Sequence, residues 1–177
     1  MRLIKPFVIL FLLIAALACT QKSENKEKLK FNSDKEKNAI NLMLDSFNVA
    51  AGKADFDGYF NFYTDDAIFT GTDATERWDK KEFMVWAKPF FDRGKAWNFT
   101  ALKRNIYFSE SGDLAWFDEL LNTQMKICRG SGVLVKQGEN WKVQQYILST
   151  TVPNPILDEV IKMKTATEDS LINKIKL

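Results

Sequence analysis

The hydrophobic positions along this chain change period once. From residue 33 to residue 94 they recur at helical spacing, and from Ala96 to Val152 they run in extended segments split by short turns. Ile40, Leu44, Phe47 and Ala51 form the apolar stripe of a first helix. Ser33-Asp34-Lys35-Glu36 reads as a capping box at its start, and Gly52 stands where it can close. A second, shorter helix is predicted from Ala54 to Tyr63, interrupted by Asp65-Asp66 before a short strand, Ala67 to Thr70. The third helix is the best signalled: Asp79 with Glu82 makes a capping box, Trp78 with Phe83 a hydrophobic staple, and Gly94 sits at C′. Its apolar face is Phe83, Trp86, Ala87, Phe90 and Phe91, and Pro89 is expected to bend it or tighten its last turn.

Four strands follow, Trp97 to Phe108, Leu114 to Met125, Cys128 to Lys136 and Trp141 to Val152, with Gly112 and Gly138 marking two of the turns. They exceed the usual length of about 5–6 residues, which predicts a strongly curved sheet. Pro153-Asn154-Pro155 stops the last strand. A final helix is predicted from about Ile156 to Lys164, with a looser continuation to Leu171 and Ile175. Three helices before an antiparallel meander make an α+β plan with helices on one sheet face. Apolar residues occupy both parities of the strands, so a second subunit is the expected cover for the other face, giving a homodimer.

The N-terminus reads differently. Arg2 and Lys5 precede 13 residues, Pro6 to Ala18, without a polar side chain. That is short of the roughly 20 needed to span a bilayer and fits the core of a signal peptide. It ends in Ala16-Leu17-Ala18-Cys19, which resembles a bacterial lipobox, with Ala16 where Leu is commonest. The resemblance implies cleavage before Cys19, acylation of its thiol, and a lipid-anchored protein of the bacterial cell envelope, held to the bilayer by its acyl chains. Residues 21–38 interleave Lys with Asp and Glu and predict a solvated, flexible tether. The expected organisation is a signal peptide over 1–18, a tether over 19–35, a domain over 36–155 and a helical tail over 156–177.

Composition narrows the chemistry. The 177 residues carry 25 Lys+Arg, 23 Asp+Glu and no His. Without imidazole there is no Ser-His-Asp triad, no Cys-His pair and no His-ligated zinc. Arg2 and Lys5 leave with the signal peptide, so the mature chain is balanced in charge and has no basic patch for nucleic acid. With Cys19 acylated, Cys128 has no partner and reads as a small buried apolar residue. Gly130-x-Gly132 lies between strand residues instead of opening a helix, and Asp55-x-Asp57-Gly58 lacks the terminal Glu of a calcium loop, so neither implies a cofactor or a metal. Asp65, Asp66, Asp73 and Glu76 could crowd near one pocket rim, but caps and turns explain them more simply.

Several segments, in order, carry a family resemblance. They are Gly71-Thr72-Asp73-Ala74-Thr75-Glu76-Arg77-Trp78, Ala115-Trp116-Phe117-Asp118-Glu119, Cys128-Arg129-Gly130-Ser131-Gly132-Val133-Leu134, Trp141-Lys142-Val143 and Tyr146-Ile147-Leu148-Ser149, then Pro153-Asn154. Over about Lys37 to Asn154 the chain is similar to the SnoaL-like group of the nuclear transport factor 2-like superfamily. The resemblance implies a cone: a curved antiparallel sheet wrapped around helices, with a pocket at its wide end. It does not transfer a reaction, because the superfamily holds isomerases, cyclases, dehydratases and non-catalytic modules. Ile147 stands where similar proteins often have His, which removes the pocket base that the resemblance would supply.

Carboxylates are the remaining bases. Asp118 and Glu119 lie in an aromatic strand, and alternation lets only one of them face the interior. Buried there, it would have a raised pKa suited to proton transfer, with Arg129 or Tyr146 as electrophilic support. The plainer reading is an internal ion pair that orders the sheet. Trp78, Trp86, Trp97, Trp116, Arg129 and Tyr146 are the candidate ligand-binding residues, divided between pocket and core roles. Three functions follow: binding of a small hydrophobic or amphipathic molecule without catalysis, an isomerase-, cyclase- or dehydratase-type enzyme, and a dimerisation module. Which of Asp118 and Glu119 faces an open cavity discriminates the first two.

Overall fold

The stripe of Ile40, Leu44, Phe47 and Ala51 lies along one side of helix α1 (Ser33–Gly52), and all four side chains are buried. The computed structural model describes residues 31–176, so Cys19, the signal segment and most of the tether lie outside the described residues. Helix α1 begins within the segment expected to be tether. Its N-cap is Asn32, not Ser33: the Asn32 carboxamide accepts the Lys35 N–H at 3.1 Å. Glu36 does not reach back to the cap either. It accepts from Lys136 Nζ and Trp141 Nε1, both at 2.7 Å, and so fastens the start of α1 to the later strands. A buried indole N–H and a lysine outbid one exposed backbone N–H as partners for this carboxylate.

Helix α2 (Phe56–Asn61) is shorter than its aromatic pattern predicts, because the chain is already extended at Tyr63. Strand β1 (Tyr63–Thr70) takes in Asp65-Asp66, which point outward at a register irregularity while Tyr63, Ala67 and Phe69 are buried. A short strand absent from the sequence reading, β2 (Arg77–Asp79), pairs with β1. Helix α3 (Lys80–Asp92) has the predicted start, with Glu82 N–H donating to Asp79 at 2.9 Å and Asp79 N–H to Glu82 at 3.0 Å. The Trp78 and Phe83 rings stack 5.8 Å apart as the staple requires. The helix runs on past Pro89, and Gly94 adopts the left-handed conformation at φ +70°.

The remaining strands are β3 (Phe99–Phe108), β4 (Leu114–Thr123), β5 (Lys126–Gln137) and β6 (Asn140–Thr150). The six strands lie in the order β2-β1-β6-β5-β4-β3, with β1 parallel to β6 and every other pair antiparallel. The sheet curves without closing. Register shifts in the β1–β6, β3–β4 and β5–β6 ladders supply local twist. Helices α1, α2 and α3 pack on the inner side of this sheet, as an α+β plan requires. After a 3-10 turn (Asn154–Ile156), helix α4 (Leu157–Ile175) takes in the looser continuation to Ile175 and buries no residue. Among the described residues no helix is long and apolar enough to cross a membrane.

Register assigns each strand residue to a face. Ile106, Phe117, Gly132 and Tyr146 pair across β3, β4, β5 and β6 on the inner side, and Tyr107, Trp116, Val133 and Gln145 form the next row, on the outer side. Gly130 and Gly132 both fall on the inner face of β5. A Cβ on Gly130 would stand 2.4 Å from the Tyr146 hydroxyl, and one on Gly132 would stand 2.3 Å from the Gln145 carbonyl and 2.8 Å from the Phe117 ring. The Gly-x-Gly spacing, two residues apart on a strand, thus clears room for side chains that cross the interior. Cys128, also inward, is fully buried, with its sulfur 3.5 Å from the Thr123 hydroxyl.

Candidate functional site

Two places inside the sheet bring chemistry-bearing side chains together, and they are separate. The first is a buried polar chain. Glu119 is the inward acid of β4, 1% exposed. Its carboxylate accepts from the Tyr146 hydroxyl at 2.8 Å and from Arg104 Nε at 2.8 Å. Arg104 reaches onward to α1, pairing with Asp45 at 3.1 Å and donating to the Asn41 side chain at 3.0 Å. Burial, with the Glu119 carboxylate beside it, holds the Tyr146 hydroxyl well above the usual phenol range. Close by, Tyr59 and Tyr63 share a hydrogen bond of 3.0 Å, and burial pushes both phenols up. Each group here has a partner, and none of Glu119, Tyr146 or Arg104 lines the cavity that forms the second place.

Asp118 is the outward acid. It accepts a hydrogen bond from the Asn105 side chain at 3.1 Å on the far side of the sheet. Trp116 and Arg129 lie on that outer face as well, which corrects their assignment to the pocket: both follow the outward parity of their strands. Ile147 is a further correction. It pairs with Ser131 and Thr70 on the outer row, between the inward Tyr146 and Leu148, so a His at this position would not point into the cone.

The second place is a cavity of about 230 Å³ at one end of the sheet. Loop 71–76, helix α3, segment 96–99 and the tip of the β4–β5 hairpin meet there. Six aromatic side chains line it: Phe69, Phe83, Trp86, Phe90, Trp97 and Phe99. Their rings are in mutual contact, Phe69 on Phe83 at 4.1 Å, Trp86 on Phe90 at 4.9 Å and Phe83 on Trp97 at 5.9 Å. Phe47 and Tyr59 fill the interior behind them, Tyr59 in edge contact with Phe83. Trp78 stacks on Trp86 at 4.7 Å and buttresses the wall without lining it. The polar handles are few: Glu76, Thr72 and Gln124.

Of the candidate ligand-binding residues, then, Trp86 and Trp97 line the cavity, Trp78 supports it, Tyr146 belongs to the buried chain, and Trp116 and Arg129 are on the other face. Of the four acids that the sequence offers for a pocket rim, Glu76 alone lines the cavity, although turn structure is the simpler account of it from sequence. Asp73 does make that turn, accepting from Thr75 N–H at 2.9 Å. Glu76 folds back over Gly71, whose Cα lacks the Cβ that would collide with the carboxylate, and both residues line the cavity. Among the described residues no cluster of His, Cys, Asp or Glu is placed to hold a metal ion.

A curved sheet wrapped around three helices, with an aromatic cavity at one end, agrees with a match between residues 40–154 and the model of the SnoaL-like domain. The chain belongs to the SnoaL-like family. Solved structures agree on the fold. A nuclear transport factor 2-like protein of unknown function from Pseudomonas putida is 16% identical, with a TM-score of 0.58 over 70% of this chain and 92% of its own. A candidate aromatic ring hydroxylase from Novosphingobium aromaticivorans is 14% identical, with a TM-score of 0.59 over 68% of this chain and 92% of its own. A candidate dehydratase from Streptomyces avermitilis is 13% identical, with a TM-score of 0.58 over 69% of this chain and 100% of its own. At such identities the likeness is one of fold. No curated protein matches the chain.

Proposed function

We propose that this SnoaL-like domain binds a small hydrophobic or amphipathic molecule in the aromatic cavity, without catalysing a reaction on it. The observation that carries the reading is the separation of the two sites. The apolar walls are at the cavity, whereas the one inward acid of β4 is engaged by Arg104 and Tyr146 and does not line it. An isomerase, cyclase or dehydratase would need a base beside its substrate, and neither Asp118 nor Glu119 lines the cavity; the acid that does is Glu76 of the rim loop, one of whose oxygens accepts the Asp73 N–H. Titrating the full-length chain with benzyl alcohol while exciting tryptophan tests the reading. Binding should saturate and perturb the emission of Trp86 and Trp97, and Trp86→Ala should abolish it. An emission that stays flat would refute the pocket.

A second reading concerns the outer sheet face, which we propose to be a homodimer contact. Tyr107 and Trp116 stack there at 5.9 Å while remaining 47% and 45% exposed, and Ile127 on the next strand is 49% exposed. Sedimentation should show a dimer that Trp116→Lys dissociates; a monomeric parent chain would end this reading. For the cell envelope we propose attachment through acylated Cys19, on the strength of the Ala16-Leu17-Ala18-Cys19 segment. Cys19→Ala should release the protein from the membrane fraction, and retention would count against the anchor.

A further inference from the structure

We infer that the ligand of the aromatic cavity is an organic monocation: an amine or quaternary ammonium group on a compact apolar body. This rests on the cavity being a binding site, and it adds the sign of the charge. Glu76 is the ionisable side chain of the lining; no Lys or Arg contributes to it. Among the described residues Glu76 enters no ion pair. Its Oε2 accepts from the Asp73 N–H at 3.2 Å. A carboxylate that lines an apolar recess without a counter-charge raises the local affinity for a cation and repels an anion.

The walls act in the same direction. Ring faces are the negative part of an aromatic quadrupole and attract a cation within about 6 Å of the centroid. One ring of this wall already does so, since the Arg93 guanidinium lies 4.9 Å from the centroid of Phe90. Two other basic side chains, Lys53 and Lys95, line a different depression, which shares Ala96, Trp97 and Gln124 with this one. Size sets the scale of the ligand. A dry cavity of about 150 Å³ accommodates benzene, so about 230 Å³ fits a ring or short chain together with its ammonium head. Thr72 and Gln124 add neutral polar groups that do not alter the preference in sign.

Four probes of one body size, titrated against the full-length chain with tryptophan emission as readout, test this. They are benzyltrimethylammonium, benzylammonium, benzyl alcohol and benzenesulfonate. The two cations should bind about tenfold more tightly than the alcohol, and the sulfonate more weakly than the alcohol. Their relative order tells a quaternary head from a primary amine. Glu76→Gln should bring the cations most of the way down toward the affinity of benzyl alcohol, the remainder being the preference of the ring faces, and leave the alcohol unchanged. Equal affinity for alcohol and cations, tightest binding of the sulfonate, or cation affinity indifferent to Glu76→Gln would overturn the inference while leaving the cavity a binding site. If none of the four binds, the binding-site reading itself falls.

Discussion

Two glutamates describe the two halves of this domain. Glu119, deep in the sheet, has every oxygen engaged, by Tyr146 on one side and Arg104 on the other. Glu76, at the aromatic cavity, takes one backbone hydrogen bond and, among the described residues, enters no ion pair. Both are carboxylates close to aromatic rings. What differs is whether folding itself supplied the counter-charge. Where it did, the carboxylate braces helix against sheet; where it did not, the site is left to attract something else.

The contrast can be broken first at its deep end. Glu119→Ala leaves the Arg104 guanidinium, 5% exposed, without its main partner. Removing one member of a buried pair costs about 3–5 kcal/mol. Urea denaturation should therefore show a large fall in midpoint. A loss under about 1 kcal/mol would mean that Arg104 is satisfied by Asp45 and Asn41 alone, and Glu119 would again be available for other work.

A second, smaller effect sharpens the same point. Gly130→Ala places a methyl 2.4 Å from the Tyr146 hydroxyl, and overpacking of that kind costs about 1–3 kcal/mol. Tyr146→Phe removes the oxygen in the way, so the double variant should lose less than the sum of the two single ones. Strict additivity would show that the glycine is needed for some other reason. At the cavity the close approach is of another kind: a Cβ on Gly71 would stand 2.1 Å from Oε2 of Glu76, the far end of a flexible side chain.

Acid tests the braced half in a third way. The Lys136 ammonium, donating directly to Glu36, holds its carboxyl below the usual carboxylate range, with the Trp141 indole helping and burial opposing. A carboxyl depressed in the folded state stabilises the fold at pH values above its unfolded pKa, near 4.5, and that contribution is lost as the pH falls through the lower folded value. Stability should decline more steeply below about pH 4.5 than in Glu36→Gln, which has no such proton to take up. Parallel pH curves for the two proteins would remove Glu36 from the brace.

How much of this the chain announces depends on the range of the interaction. Local signals carried well: the Asp79–Glu82 box, the Trp78–Phe83 staple and Gly94 read correctly because partners within one turn decide them. The Ser33–Glu36 box read wrongly for the opposite reason. It has the right spacing, but Lys136 and Trp141, a hundred residues on, offer Glu36 better partners. Strand parity was legible, so exactly one of Asp118 and Glu119 had to face inward, yet which one depends on register with β3 and β5. The Arg104 partner, the short β2 and the outward position of Ile147 are all set by pairing between distant strands. Trp86 and Trp97 were found because large aromatics are conspicuous, whereas Glu76 was hidden within a turn whose geometry Asp73 explains by itself.

The smallest expected effect bears most directly on the comparison. Glu76→Ala removes a side chain whose recorded contacts are one backbone N–H at 3.2 Å and the open face of Gly71. Loop 71–76 keeps its other ties without it: Gly71 N–H to the Glu76 carbonyl at 2.9 Å, and the Asp73 turn onto Thr75. The stability change should therefore stay within about 0.5 kcal/mol, the range of a surface substitution away from any special feature. A cost of 2 kcal/mol or more would make Glu76 a loop fastener, and its place at the cavity would then be incidental. Near-neutrality, set against the large loss from Glu119→Ala, would show two carboxylates of one fold serving opposite ends: one charge neutralised by the chain that carries it, the other held unneutralised at a preformed aromatic wall.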